Sequence, residues 1–273
     1  MLLVSKIMDF DFKNAAVFQA IKREKFPLFR FAKILKNIFL ILFLASFLPL
    51  GFSFINLASG YSAARMLIAF LSFYLLFWNL HLFTETKIKK PIIWAKLSDA
   101  VSDLDSYNLA EFLGFNAAKI VDDSIKFCKK RKLSVSSTAL FYSAVKISKD
   151  IALVSFRLGL DVKKLETDLK NYLEKMPKQP GQELFSEDFQ KIIKYAMNVS
   201  SARGHNEIGE KEIFVALAKN DEFFKKVLIG ADLKAEDVEN LTLWLDSAED
   251  LLEKNRKFWT YENLLSHQQF WLH

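Results

Sequence analysis

Breakers and thiols are what this chain lacks. Its 273 residues include 8 glycines and 5 prolines, under half of the roughly 12% that average usage would supply. Collagen-like, loop-rich and glycine-cradle architectures are thereby excluded, and helices are favoured. The single cysteine, Cys128, excludes an intrachain disulfide framework and any multi-thiolate zinc or iron–sulfur site built by this chain alone, and it suits a reducing compartment. No glycine precedes a lysine, so the G-x-x-x-x-G-K-[ST] phosphate cradle is missing. G-x-S-x-G, H-E-x-x-H and paired Cys/His patterns are missing as well. No catalytic residue, cofactor or metal ligand is expected, and the chain reads as non-enzymatic. The carboxylate groups Asp122-Asp123, Glu187-Asp188 and Glu236-Asp237-Glu239 read as solvated helix faces or first turns.

What is present is unevenly spread. Residues 1–96 carry 13 Lys/Arg against 4 Asp/Glu, whereas residues 97–273 carry 25 against 28. The basic excess is local, so no nucleic-acid partner is expected. Beside it lie two apolar runs. From Asn37 to Ala64 there are 28 residues without a charge, interrupted by Pro49 and Gly51, and 18 more run from Met66 to Phe83. At 1.5 Å per residue, Asn37 to Leu57 covers the ~30 Å of bilayer hydrocarbon. The second run suffices if its flanks snorkel. Lys6 to Lys36 precede the first run and Lys87 to Lys96 follow the second, with Arg65 alone between them. Two spans in the cell membrane with both termini cytoplasmic are therefore expected. Asn79 and His81 fall near the cytoplasmic end of the second span, where water can satisfy them. The Phe-rich basic stretch Met1 to Ala32 either lies on the anionic leaflet or is a disordered lead-in.

Beyond Lys96 the apolar spacing becomes that of soluble amphipathic helices, and it repeats. Ala117, Ile120, Val121, Ser124, Ile125 and Cys128 share one face, and Phe189, Ile192, Ile193, Ala196, Met197 and Ser200 share another 72 positions later. Each helix runs to an arginine (Arg131, Arg203), a short link to a β-branched residue (Val135, Ile208) and a second helix, at an offset of 73. Gly159-Leu160-Asp161 then answers to Gly230-Ala231-Asp232 at an offset of 71. Two four-helix units joined by the Pro/Gly cluster Met176 to Gln182 are implied, stacked to share a core that one such unit could not build alone.

Gly204-His205-Asn206-Glu207-Ile208-Gly209-Glu210-Lys211-Glu212-Ile213-Phe214-Val215-Ala216-Leu217 resembles the G-H-x-x-[IV]-G-T-E-H-[LI]-L-L-A-L signature of the Clp N-terminal repeat, the domain preceding the AAA+ rings of Clp-type unfoldases. The first copy follows it by pattern through Val135-Ser136-Ser137-Thr138-Ala139-Leu140-Phe141. The resemblance covers about Tyr107 to Asp250. Read physically, the signature is structural. Gly204 supplies a positive-φ helix end, Gly209 a turn, His205 a packed or backbone-bonded side chain, and Ser137 an N-cap whose counterpart is Glu210. The family's acidic residue, which reads modified arginines on substrates, is replaced by Thr138 and Lys211, so that specificity is not carried over.

The expected fold is all-α. A basic cytoplasmic lead-in (1–36) leads to a transmembrane hairpin (37–83) and a juxtamembrane connector (84–106). Clp repeat 1 (107–175), a linker (176–182), Clp repeat 2 (183–250) and an aromatic C-terminal connector (251–273) follow. The last of these holds Phe258, Trp259, Tyr261, Phe270 and Trp271, and reads either as the lead into a following AAA+ module or as an amphipathic tail. The resemblance implies a non-catalytic, membrane-anchored module that recruits protein substrates or adaptors to a Clp-type ATPase ring and peptidase. The alternative is a membrane-tethered helical scaffold unrelated to proteolysis.

Overall fold

The computed structural model describes residues 10–48, 60–90, 93, 95–103, 106–177 and 184–258, and every regular element among them is helical. The chain divides into two units, Met1–Lys119 and Ile120–His273.

The first unit begins with α1 (Ala16–Glu24), α2 (Pro27–Ala45) and α3 (Gly60–Phe83), and α3 continues into a π-helical turn, Thr84–Ile88. Pro27 opens α2, where its missing amide costs no hydrogen bond. The helices α2 and α3 run antiparallel. Phe39 stacks on Phe73 at 5.0 Å and on Phe77 at 5.5 Å, while Phe29 meets Phe83 at 6.3 Å. Their other faces expose Ile34, Ile38, Ile41, Leu44, Ile68 and Leu76. Among the described residues one helical stretch, Ala64–Ile88, is long and apolar enough to cross a membrane. The expected first span is described only as far as Leu48, and Pro49 to Leu57 lie outside the described residues.

Residues 10–24 of the lead-in are packed against the rest of this unit. Phe12, Ala15, Val17 and Ile21 are buried. The amide of Asp11 donates to Asn108 Oδ1 (3.0 Å), Asn108 Nδ2 donates back to the Asp11 carbonyl (2.9 Å), and the Ala16 amide donates to Glu111 (3.1 Å). Helix α4 (Leu97–Ser102) and a 3₁₀ turn (Leu109–Phe112) complete this unit. The lead-in thus folds onto the segment expected to be a connector and the edge of the first repeat. Apolar residues at helical spacing decided this, and in the sequence their positive neighbours concealed them.

Helix α5 (Phe115–Arg131) crosses the boundary. The second unit then runs α6 (Ser137–Ile147), α7 (Lys149–Arg157), α8 (Val162–Glu174), α9 (Glu187–Ala202), α10 (Glu210–Asn220), α11 (Glu222–Gly230) and α12 (Ala235–Phe258). α5–α8 and α9–α12 are the two expected four-helix copies. Helix α12 passes through Asp250, so the expected C-terminal connector starts as helix. Its residues from Trp259 on, like most of the linker, lie outside the described residues.

The left-handed residues reveal the register of the repeat. Lys132 (φ 58°) and Gly204 (φ 75°) end the first helices, and Gly159 (φ 77°) and Asp232 (φ 56°) end the third. The Leu160 amide donates to the Ser155 carbonyl (3.0 Å) as the Leu233 amide does to that of Leu228 (2.9 Å). Gly159 therefore corresponds to Asp232 and not to Gly230. The offset stays at 73, and the expected step to 71 is corrected. Matching glycine to glycine misled, because the position requires a positive φ and aspartate tolerates it.

The shared core is aromatic. Phe141 of α6 and Phe214 of α10, equivalent in the two copies, both meet Phe224 of α11, with ring centroids 4.2 and 5.1 Å from it. All three are fully buried. Aromatic rings at such spacing add to the burial of their area.

Candidate functional site

The signature residues fall around the starts of α6 and α10. Val135 is buried and pairs with Phe185: its amide donates to the Leu184 carbonyl (2.9 Å), and its carbonyl accepts from the Ser186 amide (3.1 Å). Ile208, its counterpart, is fully buried. Ser136, not Ser137, is the N-cap of α6, its side chain accepting from the Ala139 amide. Gly209, not Glu210, takes that place before α10. A Cβ on Gly209 would collide with the Glu212 carboxylate, so glycine there leaves room for a side chain rather than supplying a turn of unusual φ.

Displaced into the first turn, Ser137 joins the two repeats. Its amide (2.8 Å) and hydroxyl (2.7 Å) both bond Asp188 at the start of α9, and the same hydroxyl lies 2.6 Å from Asp221. Asp221 is buried, accepts from Thr138 Oγ1 (2.9 Å) and caps α11 through the Phe224 amide (2.8 Å). Burial alone would push the Asp188 carboxyl up, but hydrogen bonds from Ser186 and Ser137 hold it below the ordinary range. Asp188 is thus a joint, not a solvated face. Asp122, expected on a solvated face too, is buried beside Lys126.

The second copy builds a charged network at the equivalent level. Arg203 donates to Glu212 (3.0 Å), Asp246 (3.2 Å) and Thr242 (2.8 Å). Lys211 reaches Asp246 and Glu249, both at 2.6 Å. Burial alone would lower the Lys211 ammonium, but its two carboxylates carry it above the ordinary lysine range. His205 Nδ1 lies 3.3 Å from Glu212 Oε1 with 41% of the side chain exposed, so the ring is charge-facing rather than packed. The expected bond from the side chain to backbone is not what is seen: it is the His205 main-chain amide, not the ring, that donates to the Ser200 carbonyl (3.0 Å) beside Gly204. Except for the arginine, the partners were not legible, because Thr242, Asp246 and Glu249 lie over thirty positions from Lys211. Only the correct register points at them.

Among the described residues no group of His, Cys, Asp and Glu could hold a metal ion. Burial raises the Cys128 thiol to about 12, which keeps it protonated. What the second unit does present is exposed apolar surface. Phe156 is 70% exposed and its counterpart Ile229 75%. Leu153, one turn before Phe156, is exposed, and so is Trp244, whose ring centroid lies 5.5 Å from the Arg157 guanidinium. An exposed tryptophan beside an arginine, on a surface that also exposes Leu153 and Phe156 of α7, has the composition of a protein-contacting patch.

The solved structures that resemble the chain include two N-terminal domains or chains of Clp-related proteins. The Hsp104 N-terminal domain from Candida albicans is 15% identical with a TM-score of 0.44, the match covering 49% of this chain and 91% of that one. A chain from a study of the coevolution of the ATPase ClpV, the TssB-TssC sheath and the accessory HsiE protein of type VI secretion is 19% identical with a TM-score of 0.44, covering 54% and 94%. No curated protein matches the sequence significantly. Residues 136–231, from the second helix of the first copy to the third helix of the second, match the family model of the Clp repeat (R) N-terminal domain, and that stretch of the chain is a Clp N-terminal domain.

Proposed function

We propose that this chain is a membrane-anchored, non-catalytic module that recruits protein substrates or adaptors to a Clp-type unfoldase, in the manner of a protein quality-control component. The observation that carries this reading is a Clp N-terminal domain whose outer surface offers Phe156, Leu153 and Trp244 to a partner. Anchoring is supported by the antiparallel pair α2 and α3, whose outward faces are apolar where a soluble protein would carry charge. Both termini are assigned to the cytoplasm from the Lys/Arg flanks. ATP hydrolysis is assigned to a partner ring or a separate region.

The test is site-specific photo-crosslinking of the full chain, in membranes, to a permanently unfolded model protein. Probes at Phe156 and Trp244 are expected to capture it, while a probe at exposed Lys163 is not. Equal capture at all three sites would remove the recruiting surface. One observation favours the scaffold reading instead: the position at which the family carries an acid is here Lys211, held by Asp246 and Glu249. Capture of a folded partner in preference to the unfolded one would decide for the scaffold.

A further inference from the structure

At the foot of the hairpin, within the first unit, lies a cleft of about 530 Å³ between the α1–α2 junction and the end of α3. Its walls are unusually cationic, with Lys25, Arg30 and Lys33 on one side and Lys89 on the other. Its two carboxylates already have partners. Glu24 lies 2.7 Å from the Lys119 ammonium and Glu85 2.6 Å from that of Lys89, with His81 4.0 Å from Glu85. Arg30 and Lys33 have no carboxylate partner among the described residues, and both are exposed. Two cations left over beside neutralised acids make a site for an anion.

The chemistry above the cleft identifies the rest of the ligand. Arg30, Ile34, Ile38 and Ile41 follow one another at helical spacing and form one stripe, and all four are exposed. From Arg30 to Ile41 the stripe rises roughly 16 Å, about the depth of one leaflet of a bilayer whose core is ~30 Å thick. A charged foot and an apolar stem of leaflet length match a phosphate head and its acyl chains. A free phosphate would leave the stem unused.

We propose that this cleft binds the phosphate of an anionic glycerophospholipid, with Arg30 and Lys33 on the headgroup and the Ile34-Ile38-Ile41 stripe along an acyl chain. The proposal rests on the membrane reading above. It adds a residue-specific lipid site that the positive-inside pattern does not require.

The experiment reconstitutes the full chain into phosphatidylcholine nanodiscs with and without phosphatidylglycerol and quantifies the lipid that stays bound after detergent extraction. Phosphatidylglycerol is expected to be retained over phosphatidylcholine. Arg30→Gln/Lys33→Gln is expected to weaken that retention by about fivefold per cation, whereas Lys163→Gln/Lys164→Gln on α8, with the same charge change, leaves it intact. The charge-keeping pair Arg30→Lys/Lys33→Arg is expected to keep the preference, and its losing it as fully as the Gln pair would mark a packing effect and overturn the assignment. Displacement of the lipid by glycerol 3-phosphate at equal concentration would make this a plain anion site and overturn the lipid. A chain that inserts but shows no preference overturns this site alone. A chain that inserts into neither nanodisc overturns the membrane reading and the site together.

Discussion

The two repeats share a backbone and differ in what they place at the same level. Where the second copy has Lys211, Glu212, Thr242 and Asp246, the first, 73 positions earlier, has Thr138, Ala139, Leu169 and Leu173. Ala139 and Leu169 are fully buried and Leu173 is nearly so. Arg131, the counterpart of Arg203, stays at the surface with Glu174 (3.0 Å) and lies over the Phe127 ring at 3.9 Å. One copy is thus closed by oil and the other by ion pairs. A common helical frame requires only apolar volume at the shared centre, Phe141 and Phe214, and leaves the outer level free to diverge.

Breaking the shared centre should erase the difference. Phe141→Ala and Phe214→Ala are each expected to cost about 3–5 kcal/mol, and because both rings meet Phe224 the two losses should be similar. Urea unfolding of the full chain measures this. A cost confined to one variant would mean that the copies hold separate cores.

The charged level distinguishes the copies. Glu212→Ala leaves Arg203, whose side chain is 8% exposed, without its more buried carboxylate partner, and is expected to cost about 3 kcal/mol or more. In the first copy no equivalent loss exists, since the residue there is already alanine. Alkaline titration should show the same asymmetry. The raised Lys211 contributes stability that is complete below its unfolded value near 10.4 and is lost as pH rises through the higher folded value. Lys211→Met should flatten that limb. If unfolding curves of the two proteins remain parallel above neutral pH, the network contributes nothing.

The joint between the copies is next in size. Ser137→Ala removes a hydroxyl shared by Asp188 and Asp221 and should cost about 1–3 kcal/mol. The depressed Asp188 carboxyl adds stability that is complete above its unfolded value near 3.9 and disappears as pH falls through the lower folded value. Asp188→Asn should therefore shift the acid limb of the stability profile and leave neutral pH less affected. An unchanged acid limb would place Asp188 back among solvated carboxylates.

Sequence made the helices and their order legible because apolar spacing is local. The face Phe189, Ile192, Ile193, Ala196, Met197 and Ser200 is buried residue for residue. What it concealed were pairings across the chain. Asp188 reads as a polar first-turn residue until Ser137, fifty-one positions away, is seen to donate to it. Likewise the lead-in looked like a charged tail until Asn108 and Glu111 were seen to bind it. Residue type misled at Ser137, where the preceding serine caps the helix, at Glu210, where Gly209 takes the cap place, and at Gly230, where backbone conformation marks Asp232 instead.

The smallest effects test the register itself. The first helices end on Lys132 and Gly204 and the third on Gly159 and Asp232, all left-handed. A side chain in that region is strained by about 1–2 kcal/mol, while glycine loses some of that gain through the greater freedom of its unfolded chain. Lys132→Gly and Asp232→Gly are therefore each expected to stabilise by about 0.5 kcal/mol, and Gly204→Ala and Gly159→Ala to destabilise by about 1 kcal/mol. No atom lies within 4 Å of a Cβ built on either glycine, so strain rather than collision sets the cost. Differential scanning calorimetry on the four variants reads the pattern as two Tm gains and two losses. Gly230 serves as the control, since the register gives it no left-handed role and its Cβ meets open space. Gly230→Ala inside α11 should stabilise by up to about 1 kcal/mol through helix propensity. A loss at Gly230 equal to that at Gly159 would restore the glycine-to-glycine offset of 71 and overturn the correspondence on which the comparison of the two copies stands.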